Sequence, residues 1–182
     1  MSTALLLIDL QNDYFPGGAM ELIGSTEAGT RASELLAAFR GRALPVIHVQ
    51  HVSTRPGATF FLPGTRGVEF HGCVAPLAGE TVIRKHFPSC FRDTPLLDHL
   101  RQRKIERLAI AGMMTHMCVD TTVRAAFDLG FSCRLAHDAC ATRALTFGGR
   151  TIAAEDVHAA FIAALNGLFA QVGSAAELGA TI

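Results

Sequence analysis

The chain has 182 residues, of which 49% are hydrophobic and 18% are charged, a balance typical of a globular protein and not of a disordered one. Basic and acidic residues are equal at 16 each, and no apolar run reaches the roughly 18 residues that cross a bilayer. We therefore expect no nucleic-acid or membrane partner and favour a small molecule, bound by a single domain that spans residues 1–182.

Five short apolar runs predict β-strands, and helical patterns lie between and after them. The strands are expected at 3–9, 44–51, 80–85, 107–112 and 132–137, with a sixth near 170–174. The helices are expected at 26–41, 93–104, 119–130 and 154–171. Most of the strand runs are continuous rather than alternating, which is typical of strands covered on both faces. Strands alternating with helices predict an α/β fold with a mainly parallel sheet of about six strands.

One stretch, residues 53–79, breaks this alternation. It is rich in glycine and proline but carries Phe60, Phe61 and Phe70. A loop of this length inside a compact domain usually has a functional role. The rings could form a wall or lid over a pocket, make a subunit contact, or pack on the core, and the sequence leaves all three open.

Three reactive side chains follow predicted strands. Asp9 ends the first strand, Lys85 ends the third, and Cys118 comes shortly after the fourth. Ligands of open parallel sheets bind beyond the carboxyl ends of the strands, so we expect these groups to converge there. Taken singly, each has an ordinary alternative: a turn residue, a solvated charge and a buried, inert thiol. Their joint occurrence favours a catalytic site.

The chemistry of such a site would depend on the thiolate of Cys118, because the thiol itself is a poor nucleophile. A predicted helix begins at this cysteine, and its N-terminal dipole would favour the thiolate, as would nearby Lys85. Asp9 could take the thiol proton and return it to a leaving nitrogen. Backbone N–H groups of the turn before Cys118 could stabilise an oxyanion.

The segments around these residues resemble those of the isochorismatase-like cysteine hydrolases, a superfamily that includes nicotinamidases and N-carbamoylsarcosine amidases. The resemblance covers nearly the whole chain and rests on LLLIDLQNDYF, VIRKHFPSCFRDTPL, IAGMMTHMCVDTTVRAAFDLG and AHDACATR. It implies a three-layer α/β/α sandwich and a catalytic triad of Asp9, Lys85 and Cys118. It further implies a cis peptide bond between Met113 and Met114, with the amides of Met114 and Cys118 forming an oxyanion hole.

Two departures from the family's patterns narrow the function that this resemblance implies. Nicotinamidases carry a D-x-H metal site after the second strand, where this chain has His51 and Ser53, so we expect neither a metal nor another cofactor. Isochorismatases proper cleave a vinyl ether and lack the nucleophilic cysteine. The presence of Cys118 therefore favours hydrolysis of an amide-type C–N bond through a thioester.

Candidate substrate contacts are weaker predictions. His48 and His51 lie on opposite faces of the second strand because their spacing is odd, and we favour His51 for the pocket. The full set of candidates is Tyr14, Phe15, His51, Phe61, Phe87 and His116. For His116, which is one turn from Cys118, we favour outward solvation over substrate contact. The substrate is not readable, although Arg55, Arg66 and Arg92 could contact a carboxylate.

Alternative functions remain open at this point. They are ether hydrolysis without covalent catalysis, a non-catalytic binding domain, and a thiol peroxidase, which is disfavoured because no proline stands close before Thr115. The five cysteines cannot all pair, none forms C-x-x-C, and no basic leader is present, so we expect a reduced, cytoplasmic protein. The resemblance further implies a homodimer or homotetramer.

Overall fold

The computed structural model describes residues 2–182 and is built on a six-stranded parallel sheet. The strands are β1 Ser2–Ile8, β2 Val46–His51, β3 Thr81–Lys85, β4 Ile105–Met113, β5 Ser132–Ala141, β6 Leu145–Phe147, β7 Arg150–Ile152 and β8 Gln171–Gly173. Their order in the main sheet is β3-β2-β1-β4-β5-β8, and every neighbouring pair is parallel. The six predicted strands are confirmed, whereas the separate β6–β7 hairpin was not predicted.

Helices cover both faces of this sheet. They are α1 Ser25–Gly41, α2 Leu96–Gln102, α3 Asp120–Asp128, α4 Ala154–Leu165 and α5 Ala175–Ala180. One core cluster joins α1 and α5 to one face, and the other joins α2, α3 and α4 to the opposite face. The expected three-layer α/β/α sandwich is therefore confirmed. None of the helices within residues 2–182 is both long and apolar enough to cross a membrane.

The central strand β1 explains why the sequence specifies two cores. Leu5 and Leu7 belong to one cluster, while Leu6 and Ile8 belong to the other, because successive side chains of a strand point to opposite faces. β1 lies between β2 and β4, so both its edges are hydrogen-bonded and both its faces are buried. Asp9, the residue that follows β1, therefore lies at the carboxyl end of a central strand.

Gly112 in β4 permits close packing at the same edge. Its φ angle of 144° lies in a region that side chains rarely adopt, and a Cβ atom there would collide with the carbonyl of Ile8. Because β4 passes this close to β1, the turn that carries Cys118 begins directly beside the end of β1.

The long loop 53–79 folds over this edge. The amide of Ser53 donates to the carbonyl of Phe61, and the rings of Tyr14 and Phe61 lie 4.6 Å apart between centroids. Phe61 is 1% exposed and packs in the core, whereas Phe60 is only partly buried. The loop therefore has two of the three roles left open by the sequence. Phe61 packs in the core, and Phe60 forms part of a cavity wall.

Candidate active site

The structure brings Asp9, Lys85 and Cys118 together at the carboxyl ends of the central strands. Asp9 directly follows β1, Lys85 ends β3, and Cys118 lies in a π-helical turn, Thr115–Val119, between β4 and α3. Asp9 and Lys85 are fully buried and Cys118 is 6% exposed. The peptide bond between Met113 and Met114, just before the turn, is cis.

The ammonium group of Lys85 is the centre of this cluster. Its Nζ lies 2.7 Å from Oδ2 of Asp9, 3.2 Å from Sγ of Cys118 and 2.9 Å from Nδ1 of His51. A fourth acceptor, the carbonyl of Phe87, is 3.1 Å away. An ammonium has three N–H bonds to donate, so these four acceptors compete for three hydrogens. Lys85 therefore holds the acid and the thiol on two sides of one positive charge.

The charge of Lys85 persists although the residue is buried. Burial disfavours the ammonium and acts to lower its pKa, but the negative charges of Asp9 and Cys118 outweigh burial and raise that pKa above its ordinary value. The Asp9–Lys85 ion pair is completely buried on both sides. A buried ion pair keeps its charges only when each partner satisfies the other, so the two residues depend on one another.

The thiol of Cys118 has a raised pKa, opposite to the direction that its expected position at a helix N-terminus suggests. Burial is the main cause, and the charge of Asp9 adds to it, while Lys85 opposes both. The helix α3 begins only at Asp120, after the π-helical turn, so the cysteine is not in the helix's first turn. The resting site thus holds a neutral thiol beside a carboxylate.

The carboxylate has one oxygen free to receive the thiol proton. Oδ2 of Asp9 accepts from Lys85, whereas Oδ1 is buried and has no hydrogen-bond partner among residues 2–182. One carboxylate oxygen of Asp9, one ring nitrogen of His51 and Sγ of Cys118 all lie within 4.8 Å of one another. An unpartnered buried acceptor next to a buried thiol is the arrangement that proton transfer to a general base requires.

Removing the charge of Asp9 should make the thiol of Cys118 more acidic. In an Asp9→Asn protein, the repulsion between carboxylate and thiolate is lost and the attraction of Lys85 remains. We expect the pH midpoint for iodoacetamide alkylation of Cys118, measured by peptide mass spectrometry, to move to lower pH. The exposed-residue control Asp98→Asn should leave the midpoint unchanged. A midpoint that stays or rises in Asp9→Asn would contradict the assigned electrostatics.

His51 joins the cluster from the end of β2. Since the Lys85 ammonium can only donate, Nδ1 of His51 accepts, and the ring proton must reside on Nε2. Burial, followed by the positive charge of Lys85, lowers the pKa of His51 to about 4, so the ring is neutral near pH 7. His48 lies on the opposite face of β2, where its Nε2 is 2.8 Å from Oε2 of Glu80.

The residues at the position of the nicotinamidase metal site do not fit a divalent cation here. His51, which stands where that site has its aspartate, uses Nδ1 to accept from the Lys85 ammonium. Ser53, which stands where that site has its histidine, offers only a hydroxyl, a weak ligand. The remaining trio of candidate ligands, Asp9, His51 and Cys118, surrounds Lys85 itself.

A cavity of about 440 Å³ opens onto Cys118. Its apolar wall consists of Ala58, Phe60, Phe87, Pro88, Met114 and Met117, and its polar lining consists of Tyr14, His51, Ser53, Thr54, Arg55, His86 and Cys118. This volume suits a molecule the size of one ring or a short chain. Of the expected substrate contacts, Tyr14, His51 and Phe87 line the cavity.

Three expected contacts lie elsewhere. Phe15 stacks on the ring of His71 at 3.7 Å, and Phe61 is buried behind the cavity wall. His116 directs Nδ1 at Oγ1 of Thr142 and is partly buried, so neither substrate binding nor full solvation describes it. Each of these residues is close in sequence to a lining residue but points in another direction, which a sequence pattern cannot resolve.

Most lining residues that were not anticipated come from loop 53–79 and from the start of the β3–α2 connection. They include Thr54, Ala58, His86 and Pro88, whereas Phe60 had been named as a ring that could form a wall over a pocket. The one available signal was proximity in sequence to the strand ends at His51 and Lys85. Arg55 was anticipated only as one of three arginines that could contact a carboxylate, and of these it alone lines the cavity.

Comparisons with known proteins agree with this architecture. Residues 3–177 match the family model of the isochorismatase domain. An uncharacterized isochorismatase family protein of Bacillus subtilis, YddQ, is 49% identical over 172 residues, which are 94% of this chain and 96% of that protein. The nicotinamidase/pyrazinamidase of Mycobacterium tuberculosis is 28% identical over 156 residues, covering 74% of this chain and 84% of that protein.

A solved structure gives the same result in three dimensions. The crystal structure of a protein from Oleispira antarctica, assigned as an isochorismatase hydrolase, superposes with a TM-score of 0.94 at 50% identity. The superposition covers 98% of this chain and 96% of that one. The resemblance drawn from the sequence motifs is therefore confirmed.

Proposed function

The chain belongs to the isochorismatase family of hydrolases, and from that premise we propose that it hydrolyses an amide-type C–N bond of a small molecule through a thioester on Cys118. One observation carries the proposal: a single ammonium, Lys85 Nζ, lies within hydrogen-bond distance of both the Asp9 carboxylate and the Cys118 thiol. The nicotinamidase/pyrazinamidase relative, named for amide substrates, supports the type of bond.

The first half of the reaction forms the thioester. Oδ1 of Asp9 accepts the proton of Cys118, and the sulfur adds to the substrate carbonyl carbon. This transfer moves a negative charge from Asp9 to Cys118 without changing the net charge of the buried cluster, since Lys85 contacts both. The amides of Met114 and Cys118 stabilise the oxyanion. The C–N bond then breaks as Asp9 returns the proton to the leaving nitrogen.

The second half releases the acid. Water adds to the thioester carbonyl while Asp9 takes one of its protons, the C–S bond breaks, and the proton returns to the sulfur. Lys85 remains protonated throughout, because its pKa is raised by the charges around it. The products are a carboxylic acid and ammonia or an amine.

Trapping the intermediate tests the mechanism directly. We would mix the protein with small primary amides, beginning with nicotinamide and benzamide, quench in acid within seconds, and map peptides by mass spectrometry. An acyl adduct on the peptide that contains Cys118, together with one ammonia released per acid formed, is the expected result. Amide turnover by the unmodified protein without any adduct, together with equal activity of a Cys118→Ala protein, would overturn the covalent route.

A further inference from the structure

The lining of the cavity includes one positive charge that no described protein group neutralises. Arg55 is the only residue with a formal charge among those that line the cavity, and no carboxylate lines it. Within residues 2–182 the guanidinium of Arg55 has no hydrogen-bond or ion-pair partner, and only its backbone carbonyl is engaged, by the amide of Ala58. A cation without a protein partner beside a cavity is free to bind a substrate group.

His51 offers a second donor on the same segment. Its Nδ1 is used by Lys85, so Nε2 carries the hydrogen. Nε2 has no hydrogen-bond partner among the described residues, yet it is not sealed from solvent. The ring of His51 lines the cavity. His51 and Arg55 are four residues apart, on the stretch that leaves β2. Two unpartnered donors therefore border the cavity from one stretch of chain.

A second guanidinium lies behind the apolar lining of the cavity. The guanidinium of Arg92 lies 3.5 Å from the centre of the Phe87 ring, and that ring lines the cavity. Arg92 is exposed and its nearest carboxylate, Asp93, is 3.7 Å away. Because Asp93 pairs with Arg92, the unpaired positive charge at the cavity is that of Arg55.

We propose that Arg55 and His51 form a subsite for an anionic group, so that the substrates are small amides that also carry a carboxylate. This inference rests on the proposed amide hydrolysis for the chemical class of the substrate, but the subsite itself can be tested by binding alone. The carboxylate would accept from the guanidinium of Arg55 and from Nε2–H of His51, and the scissile carbonyl would lie at Cys118. Arginine forms charge-assisted, bidentate hydrogen bonds with carboxylates, which give both affinity and orientation.

Binding can be separated from turnover with a Cys118→Ala protein. We would titrate it by calorimetry with two matched pairs of probes: 3-carboxybenzamide against benzamide, and succinamate against butyramide. Each carboxylated probe should bind at least about 10-fold more tightly than its neutral partner, and this preference should weaken as salt is raised. In Cys118→Ala/Arg55→Gln the preference should fall below about 2-fold.

Two further variants sharpen the assignment. Arg66→Gln, added to Cys118→Ala, removes an exposed arginine of the same loop that does not line the cavity, and the preference should persist. His51→Asn keeps an acceptor near the position of Nδ1 for Lys85 but removes the Nε2–H donor, and should reduce the preference in part.

The outcomes distinguish the subsite from the reaction. Equal binding of charged and neutral probes, or a preference that survives Arg55→Gln, would overturn the subsite. A preference that depends on Arg55, combined with no hydrolysis of any probe by the unmodified protein, would leave the subsite standing and count against the amide-hydrolase function. Hydrolysis of neutral amides alone, with no carboxylate preference, would do the reverse.

Discussion

Replacing Cys118 with alanine should lower amide hydrolysis by about 10⁴-fold or more, because no other group of the site can form the thioester. Cys118 is the one cysteine that lines the cavity, and Asp9 and Lys85 are both placed against its sulfur. The substitution removes a single sulfur atom from a residue that borders the cavity, so folding and ligand binding should persist. Ammonia release at saturating substrate measures the effect, and circular dichroism verifies the fold.

A matched control separates chemistry from the general effect of losing a buried thiol. Cys133 is buried at the start of β5, at the opposite end of the strands from the site, and Cys133→Ala should keep nearly full activity. Asp9→Asn should lose activity to a degree similar to Cys118→Ala. A protein that depends on Asp9 but keeps its turnover without Cys118 would instead indicate hydrolysis without a covalent intermediate, the ether-type reaction.

The meeting of Asp9, Lys85 and Cys118 could be predicted from the sequence because of a property of parallel sheets. The carboxyl ends of all strands meet at one edge, so an acid, a lysine and a cysteine that each follow a strand are brought together without any knowledge of side-chain directions. Asp9 follows a continuous apolar run, and Lys85 ends the short run Thr81–Lys85. The same logic placed His51 at the edge and His48 on the opposite face.

Other properties depend on packing that the sequence does not display. The direction of the pKa shift of Cys118 follows from its depth of burial and from the distance to Asp9, both tertiary quantities. Part of the cavity wall comes from loop 53–79, where Phe60 and Phe61 are adjacent in sequence but only Phe60 faces the cavity. The β6–β7 hairpin follows an irregular stretch with no clear strand pattern and makes no part of the main sheet.

Replacing Lys85 with methionine should destabilise the protein by about 3–5 kcal/mol, because it leaves the carboxylate of Asp9 buried without its partner. Methionine has nearly the length of the lysine stem and fills the same space, so the effect reports charge and not volume. Activity should fall by about 10³-fold or more, since no positive charge remains to stabilise the thiolate. Urea denaturation gives the free energy of unfolding, and Lys104→Met, at an exposed lysine, is the control.

A double variant decides whether the lost stability belongs to the ion pair. Asp9→Asn removes the stranded charge, and asparagine suits this position because Asp9 has a φ of 53°, which asparagine tolerates better than apolar residues. If the two residues act as a pair, Lys85→Met/Asp9→Asn should regain at least half of the stability that Lys85→Met loses while staying inactive. Additive losses of stability would mean that each side chain is held by other contacts. Recovery of stability without recovery of activity would show that the fold does not need the buried ion pair, because an uncharged pair supports it as well. The ion pair would then be retained for the chemistry of Cys118.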